Sequence, residues 1–197
     1  FLLIDASTTV DTTPPVTMLS TSDTMAVANE LLYNGGFENG NLDGWTVGSD
    51  GDHKVVGDDY KTGTQSALLG FRDTPEGTTG YDSIKQNVSL PSFITSPLSF
   101  WYHLITDDLV SGGFFDAFVT PAGSDPITVA HDGWDDPEVL DTDLGWKNVT
   151  YQLNGLKGEN IEVQFKVTQP YESYQTWTYL DDVKLTAATN SASTTTQ

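Results

Sequence analysis

The sequence contains no cysteine and has few basic residues. The absence of cysteine excludes disulfides, thiolate zinc sites, iron–sulfur clusters and a cysteine nucleophile. Only 8 of the 197 residues are Lys or Arg, whereas 28 are Asp or Glu, and the formal net charge is −20. Because such a chain repels nucleic-acid phosphates and anionic lipid, we expect neither of these as a partner. The sequence also lacks an apolar run long enough to insert into a membrane.

Asp and Thr are abundant. The chain has 21 Asp against 7 Glu, together with 27 Thr. Asp is frequent in turns and in metal sites built from oxygen ligands, and it is poor in helices, whereas Thr favours strands. Aromatic residues make up 11% of the chain and supply material for a core. This composition is typical of an extracellular β-protein with acidic loops.

Apolar and polar residues alternate with a period of two in several segments. The clearest is Ile161 to Val167, where four apolar residues face one way and three polar residues face the other. Clusters of Gly, Pro, Asn and Asp separate about nine strand candidates of this kind, and no long helix is indicated. The pattern predicts an all-β chain whose residues 31–186 form an antiparallel β-sandwich of the jelly-roll type.

The two ends of the chain differ from this middle part. Residues 1–30 begin with an apolar run, Phe1, Leu2, Leu3 and Ile4, and continue as an extended Thr/Pro-rich linker. The run is either the last strand of a preceding domain or a strand that pairs with a neighbouring copy of the chain. Residues 187–197 form a Ser/Thr-rich tail.

One acidic residue stands out in the last strand candidate. Asp181 has the same phase as the apolar residues around it, which predicts that its carboxylate points into the core; these residues are Trp177, Tyr179, Val183 and Leu185. A buried carboxylate needs a cation or several hydrogen-bond donors. Since basic residues are scarce, two alternatives are left for the partner of Asp181: a hard metal ion such as calcium, or backbone N–H groups.

Several motifs occur in a recognisable order. Asn34-Gly35-Gly36-Phe37-Glu38-Asn39-Gly40 is followed by Gly44-Trp45, then by Gly63-Thr64-Gln65-Ser66-Ala67-Leu68, and finally by Tyr179-Leu180-Asp181-Asp182-Val183-Lys184-Leu185. Together they resemble galactose-binding-like jelly rolls, which include many carbohydrate-binding modules of microbial glycoside hydrolases. The stretch from Gly145 to Val167 is also similar to C-terminal modules of secreted microbial metallopeptidases.

The resemblance implies a structural calcium ion that joins the opening turn to the closing strand. Its expected ligands are Glu38 and Asp181, with Asp182 as the alternative to Asp181. A backbone carbonyl near Lys61 to Thr64 completes the expected set. Without calcium, Glu38 would cap a turn and Asp181 would accept backbone N–H groups.

Sugar binding requires aromatic rings that are exposed beside polar groups, because sugars present apolar C–H patches to them. Trp134, Tyr171 and Tyr174 lie in polar loop sequences and are the candidate ligand-binding residues. The strand context of the other four tryptophans predicts that they belong to the core; these are Trp45, Trp101, Trp146 and Trp177.

Nothing in the sequence identifies a catalytic apparatus. It has three His, no H-E-x-x-H helix and no G-x-S-x-G elbow. We therefore expect a non-catalytic, extracellular, calcium-stabilised module that binds a polysaccharide, a glycan or a cell surface. The alternative is a filament or surface-layer subunit that polymerises by donating residues 1–4 to a neighbouring copy.

Overall fold

The computed structural model of the chain describes residues 27–92, 97–106, 113–133, 143, 145–172 and 175–189. These residues form β-strands and one short 3₁₀ turn, Asn154–Leu156, and they contain no α-helix. No helix in this part of the chain is long and apolar enough to cross a membrane. The strands are β1 (Val27–Glu30), β2 (Thr46–Ser49), β3 (Lys54–Val56), β4 (Ser66–Gly70), β5 (Gly80–Ser89), β6 (Leu98–Thr106), β7 (Phe114–Pro121), β8 (Ile127–Gly133), β9 (Lys147–Tyr151), β10 (Asn160–Gln169), β11 (Thr176–Lys184) and β12 (Thr186–Thr189).

Two five-stranded antiparallel sheets pack face to face. Sheet 1 has the strand order β2-β5-β10-β7-β8, and sheet 2 has the order β3-β4-β11-β6-β9. Long connections between the sheets mean that strands adjacent in space are distant in sequence, as in a jelly roll. The predicted antiparallel β-sandwich is confirmed.

The core lies between the sheets and follows from the alternation within each strand. On β10, Ile161, Val163, Phe165 and Val167 are buried, and the residues between them are half-buried on the opposite face. Phe165 meets Phe100 of sheet 2 at 4.9 Å between ring centres in an edge-to-face contact. Each fully buried aromatic or aliphatic side chain of this kind stabilises the fold by roughly 1.5–3 kcal/mol.

Strands β1 and β12 form a separate two-stranded ladder, in which Val27 pairs with Thr189 and Glu30 pairs with Thr186. The Glu30 carboxylate accepts the backbone N–H of Leu185 at 2.7 Å, which ties the start of the described chain to its end. The ladder extends the β-structure beyond residues 31–186 on both sides, into segments that the sequence assigned to the linker and the tail.

The last long strand, β11, contains an irregularity that changes its phase. Its register with β6 shifts between Asp181 and Lys184, and Asp182 has a positive φ of 53°. Before the shift Thr178 and Leu180 face the core, and after it Val183 does. The extra residue of a bulge reverses which side chains alternate inward.

The predicted direction of Asp181 is therefore wrong. Asp181 is buried, with 0% of its surface exposed, but it shares the outward side of sheet 2 with Trp177 and Tyr179. The fully buried carboxylate that points between the sheets belongs to Asp82 of β5, which has the inward phase of Ile84. The Gly70 N–H donates to Asp82 at 2.8 Å and satisfies part of its hydrogen-bonding need.

Candidate functional site

The outward side of sheet 2 is covered by loops. Its central side chains Leu68, His103 and Asp181 are buried, although their strand register directs them away from the core. The loop of residues 57–65 lies over them, and two of its backbone N–H groups bond to Asp181. This side of the sandwich is occupied by the protein's own segments and is not an open surface.

Hydrogen bonds at His103 hold this cover in place. The Nδ1 atom of His103 contacts Asp59 Oδ2 at 2.6 Å, and its Nε2 atom contacts Asp143 Oδ1 at 2.5 Å. Trp146 Nε1 donates to the other Asp59 oxygen at 3.0 Å. The contact with His103 lowers the pKa of Asp143. Because every group in this cluster bonds to another part of the fold, we assign it a structural role.

The outward side of sheet 1, in contrast, is left accessible by the described residues. Its side chains are half-buried or exposed along β5, β7, β8 and β10, apart from Ser83, which is buried. We call this surface the open face and define it by Tyr81, Lys85, Phe114, Asp116, Phe118, His131, Glu162, Gln164 and Lys166.

Aromatic rings and polar groups are interleaved on the open face. Tyr81 is 44% exposed, and the ammonium of Lys166 lies 5.3 Å from the centre of its ring. Phe114 stacks on His131 with 5.5 Å between ring centres and 23° between ring planes. A surface of this kind can bind a ligand that combines apolar patches with hydroxyl or charged groups.

Charged pairs organise the rest of the open face. Lys85 contacts Glu162 Oε2 at 2.9 Å, and His131 Nδ1 contacts Asp116 Oδ1 at 2.6 Å. Both pairs cross between neighbouring strands, so they also hold side chains in fixed positions on the sheet.

One of the predicted ligand-binding residues lies beside the open face. Tyr171 follows the end of β10 and is 56% exposed. At that end Thr168 pairs with Tyr81 on one side and with Phe114 on the other. Trp134 and Tyr174 lie outside the described residues. The predicted ligand-binding role of these three residues stays a prediction.

The sequence prediction missed Tyr81 and Lys166. The signal for Lys166 was present, because the alternation from Ile161 to Val167 places it on the polar side of its strand. The signal for Tyr81 was its phase opposite to Ile84 on the same strand. Neither phase reveals which of the two sheets is covered by loops, since that depends on distant segments.

Only one of the four tryptophans expected in the core lies there. Trp45 is buried in the core and donates its indole N–H to the carbonyl of Asn34 at 3.2 Å. Trp101, Trp146 and Trp177 are half-buried on the outward side of sheet 2, so their assignment to the core is wrong. Trp101 and Trp146 contact residues of the loop that covers sheet 2, Lys61 and Asp59 respectively.

Glu38 in the opening turn binds the loop that precedes β4. Its Oε1 atom accepts the backbone N–H groups of Thr64 at 2.9 Å and Gln65 at 3.0 Å, and its Oε2 atom accepts the Thr64 hydroxyl at 2.9 Å. The hydrogen bond from the Thr64 backbone lowers the pKa of the exposed Glu38. Gly63 has a φ of 67°, and a Cβ atom there would collide with the Glu38 carboxylate.

Asp181 binds the same loop from the closing strand. Its Oδ2 atom accepts the N–H groups of Lys61 and Thr62, each at 2.9 Å, and its Oδ1 atom accepts that of Asp182 at 2.6 Å. Burial nevertheless raises the pKa of Asp181 above its usual value. The three donors therefore do not fully offset the cost of burying this charge.

The oxygen atoms around this loop are of the type and charge that calcium binds. Besides the carboxylates of Glu38 and Asp181, the Oε1 atom of Gln65 is buried and accepts no hydrogen bond from the described residues. The negative charge of Asp182 also disfavours ionisation of both Glu38 and Asp181. Oxygen ligands around excess negative charge are what calcium prefers.

The same region lacks a complete set of acidic ligands. The described part of the chain contains no group of three or more His, Cys, Asp or Glu side chains that could hold a metal. Lys61 turns its backbone N–H toward Asp181, and its ammonium lies 3.9 Å from the centre of the Trp101 ring. A bound calcium ion would therefore need carbonyl or water oxygens in addition to Glu38 and Asp181.

The expected polymerisation strand, Phe1 to Ile4, lies outside the described residues. The strands to which it could add are visible, because β2, β3, β8 and β9 lie at the ends of their sheets. Each of these strands pairs with a single neighbouring strand within the described part of the chain.

The fold of the chain is similar to that of several solved carbohydrate-binding modules. The structure of TmCBM61, solved in complex with β-1,4-galactotriose, matches with a TM-score of 0.54 at 18% sequence identity, over 82% of this chain and 99% of that one. No known protein-family model matches the sequence, and no curated protein matches it either. The likeness therefore establishes the fold and confirms the resemblance drawn from the sequence motifs.

Two further modules match over similar lengths. A CBM28 module specific for non-crystalline cellulose has a TM-score of 0.52 at 12% identity, and the match covers 80% of this chain and 94% of that one. CBM27-1 of Caldicellulosiruptor saccharolyticus, in complex with mannohexaose, has a TM-score of 0.51 at 12% identity, with 81% and 96% covered.

Proposed function

We propose that the chain is a non-catalytic module that binds a polysaccharide on its open face. The observation that carries this proposal is the exposed Tyr81 ring on the open face, with Lys166 beside it and Gln164 and other polar side chains further along the same face. A sugar ring can stack its C–H surface on the tyrosine while its hydroxyl groups bond to the polar neighbours.

The fold supports this proposal. The three modules that share the fold are described with β-1,4-galactotriose, non-crystalline cellulose and mannohexaose, which are all chains of hexoses. A flat sheet face along which several side chains lie in rows suits an extended chain of this kind. The acidic, Asp- and Thr-rich composition supports a location outside the cell, where such polymers occur.

The test is a binding survey with soluble and insoluble polysaccharides, using retardation in native gels and isothermal titration calorimetry. We expect saturable binding to at least one polymer and no hydrolysis of that polymer on prolonged incubation. Absence of binding to the whole panel, or release of reducing sugar by the purified chain, would overturn the proposal.

We further propose that one calcium ion stabilises the module between its opening turn and its closing strand. The carboxylates of Glu38 and Asp181 and the unbonded Oε1 atom of Gln65 support this proposal. The ion would add positive charge where burial and Asp182 disfavour the ionised Asp181. It would stabilise the fold and take no part in a reaction.

An alternative function is assembly into an extracellular filament. The observation that favours it is the edge strand β8, which within the described residues pairs only with β7. Residues 1–4 of a neighbouring copy would add there as a further strand. Electron microscopy tests this by comparing the intact chain with a chain that lacks residues 1–10, each with and without a chelator. Polymers that form from the intact chain and not from the shortened chain would support this function.

A further inference from the structure

The open face of this strongly acidic protein carries a lysine without a carboxylate partner. Five of the eight basic residues form ion pairs with Asp or Glu in the described part of the chain: Lys54, Arg72, Lys85, Lys147 and Lys184. Lys166 does not, although acidic residues outnumber basic ones 28 to 8. Its ammonium is directed to the ring of Tyr81.

The carboxylates that share the face are already bonded. Asp116 lies directly opposite Lys166 on the neighbouring strand, but its Oδ1 atom contacts His131 at 2.6 Å. Glu162, two positions before Gln164 on the strand of Lys166, contacts Lys85 at 2.9 Å. Within the described residues, Lys166 is therefore the cation of this face that forms no ion pair, and it can contact a bound molecule.

The position of this charge determines what it would recognise. The Lys166 ammonium lies over one face of the Tyr81 ring, 5.3 Å from its centre. A sugar stacked on the other face would reach this ammonium with a substituent that extends past the edge of the ring. A carboxylate substituent would accept a hydrogen bond from the ammonium and would also gain the attraction between two opposite charges. A hydroxyl substituent would accept the hydrogen bond without that attraction.

We infer that the polysaccharide bound on the open face carries carboxylate groups, as in a polymer that contains uronic acids. This inference depends on the proposed polysaccharide binding. The net charge of −20 does not prevent it, because charges beyond about 8 Å are largely screened at physiological salt. Within that distance the local field depends on Lys166, on the Lys85–Glu162 ion pair and on the Asp116–His131 pair.

The test compares a uronic-acid polymer, polygalacturonate, with its fully methyl-esterified form of the same length, which keeps the sugar chain and removes the charge. We expect calorimetry to show roughly tenfold tighter binding of the acid form, and this preference should fall as salt is raised. Lys166→Gln should weaken binding of the acid form much more than binding of the ester, so that the preference is lost.

Lys157→Gln is the matched control, since it removes the same charge from an exposed lysine outside the open face. It should keep the preference for the acid form. Binding of the ester as tightly as the acid, or an unchanged preference in Lys166→Gln, would overturn the inference while the proposed function stands. If the chain binds neither of the two polymers nor any neutral polysaccharide, the proposed function itself is overturned.

Discussion

The backbone N–H of Lys61 donates a 2.9 Å hydrogen bond to the carboxylate of Asp181, across 120 residues of sequence. The same carboxylate receives the N–H of Thr62, so the loop before β4 is fixed to the bulge of the closing strand. Glu38 binds the next two residues of that loop from the opening turn. These carboxylates fix the loop of residues 61–65 to both the opening turn and the closing strand, and removing either should loosen the loop.

Asp181→Asn should lower the free energy of unfolding by roughly 2–5 kcal/mol, because an amide cannot accept hydrogen bonds at both ends and leaves buried N–H groups unpaired. Asp182→Asn is the control, since the partners of its Oδ1 atom are the side chains of Thr62 and Lys184, which can turn to water. Asp182→Asn should lower the free energy of unfolding by less than about 1 kcal/mol. Urea unfolding monitored by tryptophan fluorescence measures both, and equal losses would contradict the assigned role of Asp181.

The stability of the metal-free protein should depend on pH through Asp181. Burial raises the pKa of Asp181, so the folded chain binds this proton at a pH at which the unfolded chain has lost it. Protonation of Asp181 therefore stabilises the fold below the unfolded value of about 3.9, and this contribution is lost as the pH rises through the folded pKa.

The measurement is the difference in unfolding free energy between the wild type and Asp181→Asn, in a chelator, from pH 4 to pH 7. Taking the difference removes the opposite contributions of Glu38, Asp73 and Asp143, whose pKa values are lowered in the fold. The advantage of the wild type should shrink as the pH rises. An advantage that grows with pH would show that the three N–H donors outweigh burial.

Calcium should raise the melting temperature of the chelator-treated protein. At a concentration about a hundredfold above its Kd, we expect a rise of roughly 5–10 °C in differential scanning calorimetry. Glu38→Gln should remove most of this rise because it removes a charged ligand from the opening turn. Magnesium at the same concentration is the control, and it should have a smaller effect because it requires a stricter octahedral geometry. No change with calcium would remove the calcium proposal.

Gly63→Ala should destabilise the loop that Glu38 and Asp181 share. Its φ of 67° is unfavourable for alanine, and the added Cβ atom would displace the Glu38 carboxylate. Gly123→Ala separates the two effects, because Gly123 has a φ of 76° and no atom within 4 Å of an added Cβ. We expect the free energy of unfolding to fall by about 1 kcal/mol in Gly123→Ala and by roughly 3 kcal/mol in Gly63→Ala. Similar losses in both variants would show that Glu38 moves aside freely.

The sandwich could be predicted from the sequence because the alternation of β10 and β6 is regular and local. The direction of Asp181 could not, because a bulge at Asp182 reverses the phase of the strand, and this bulge forms where the loop of residues 57–65 supplies donors. The same loop contacts Trp101 and Trp146 on the outward side of sheet 2, so these residues are partly buried outside the core. Local periodicity shows that a side chain will be buried, but not which distant segment buries it.

Tyr81→Ala should weaken binding of the polysaccharide identified in the survey by roughly tenfold, because it removes the aromatic surface on which a sugar ring stacks. Tyr60→Ala is the matched control, since Tyr60 is 43% exposed, close to the 44% of Tyr81, but lies in the loop that covers sheet 2. Both variants should melt close to the wild type, and only Tyr81→Ala should lose affinity in calorimetry. If Tyr60→Ala weakens binding and Tyr81→Ala does not, the polysaccharide lies on the loops over sheet 2, and the open face is not the binding surface.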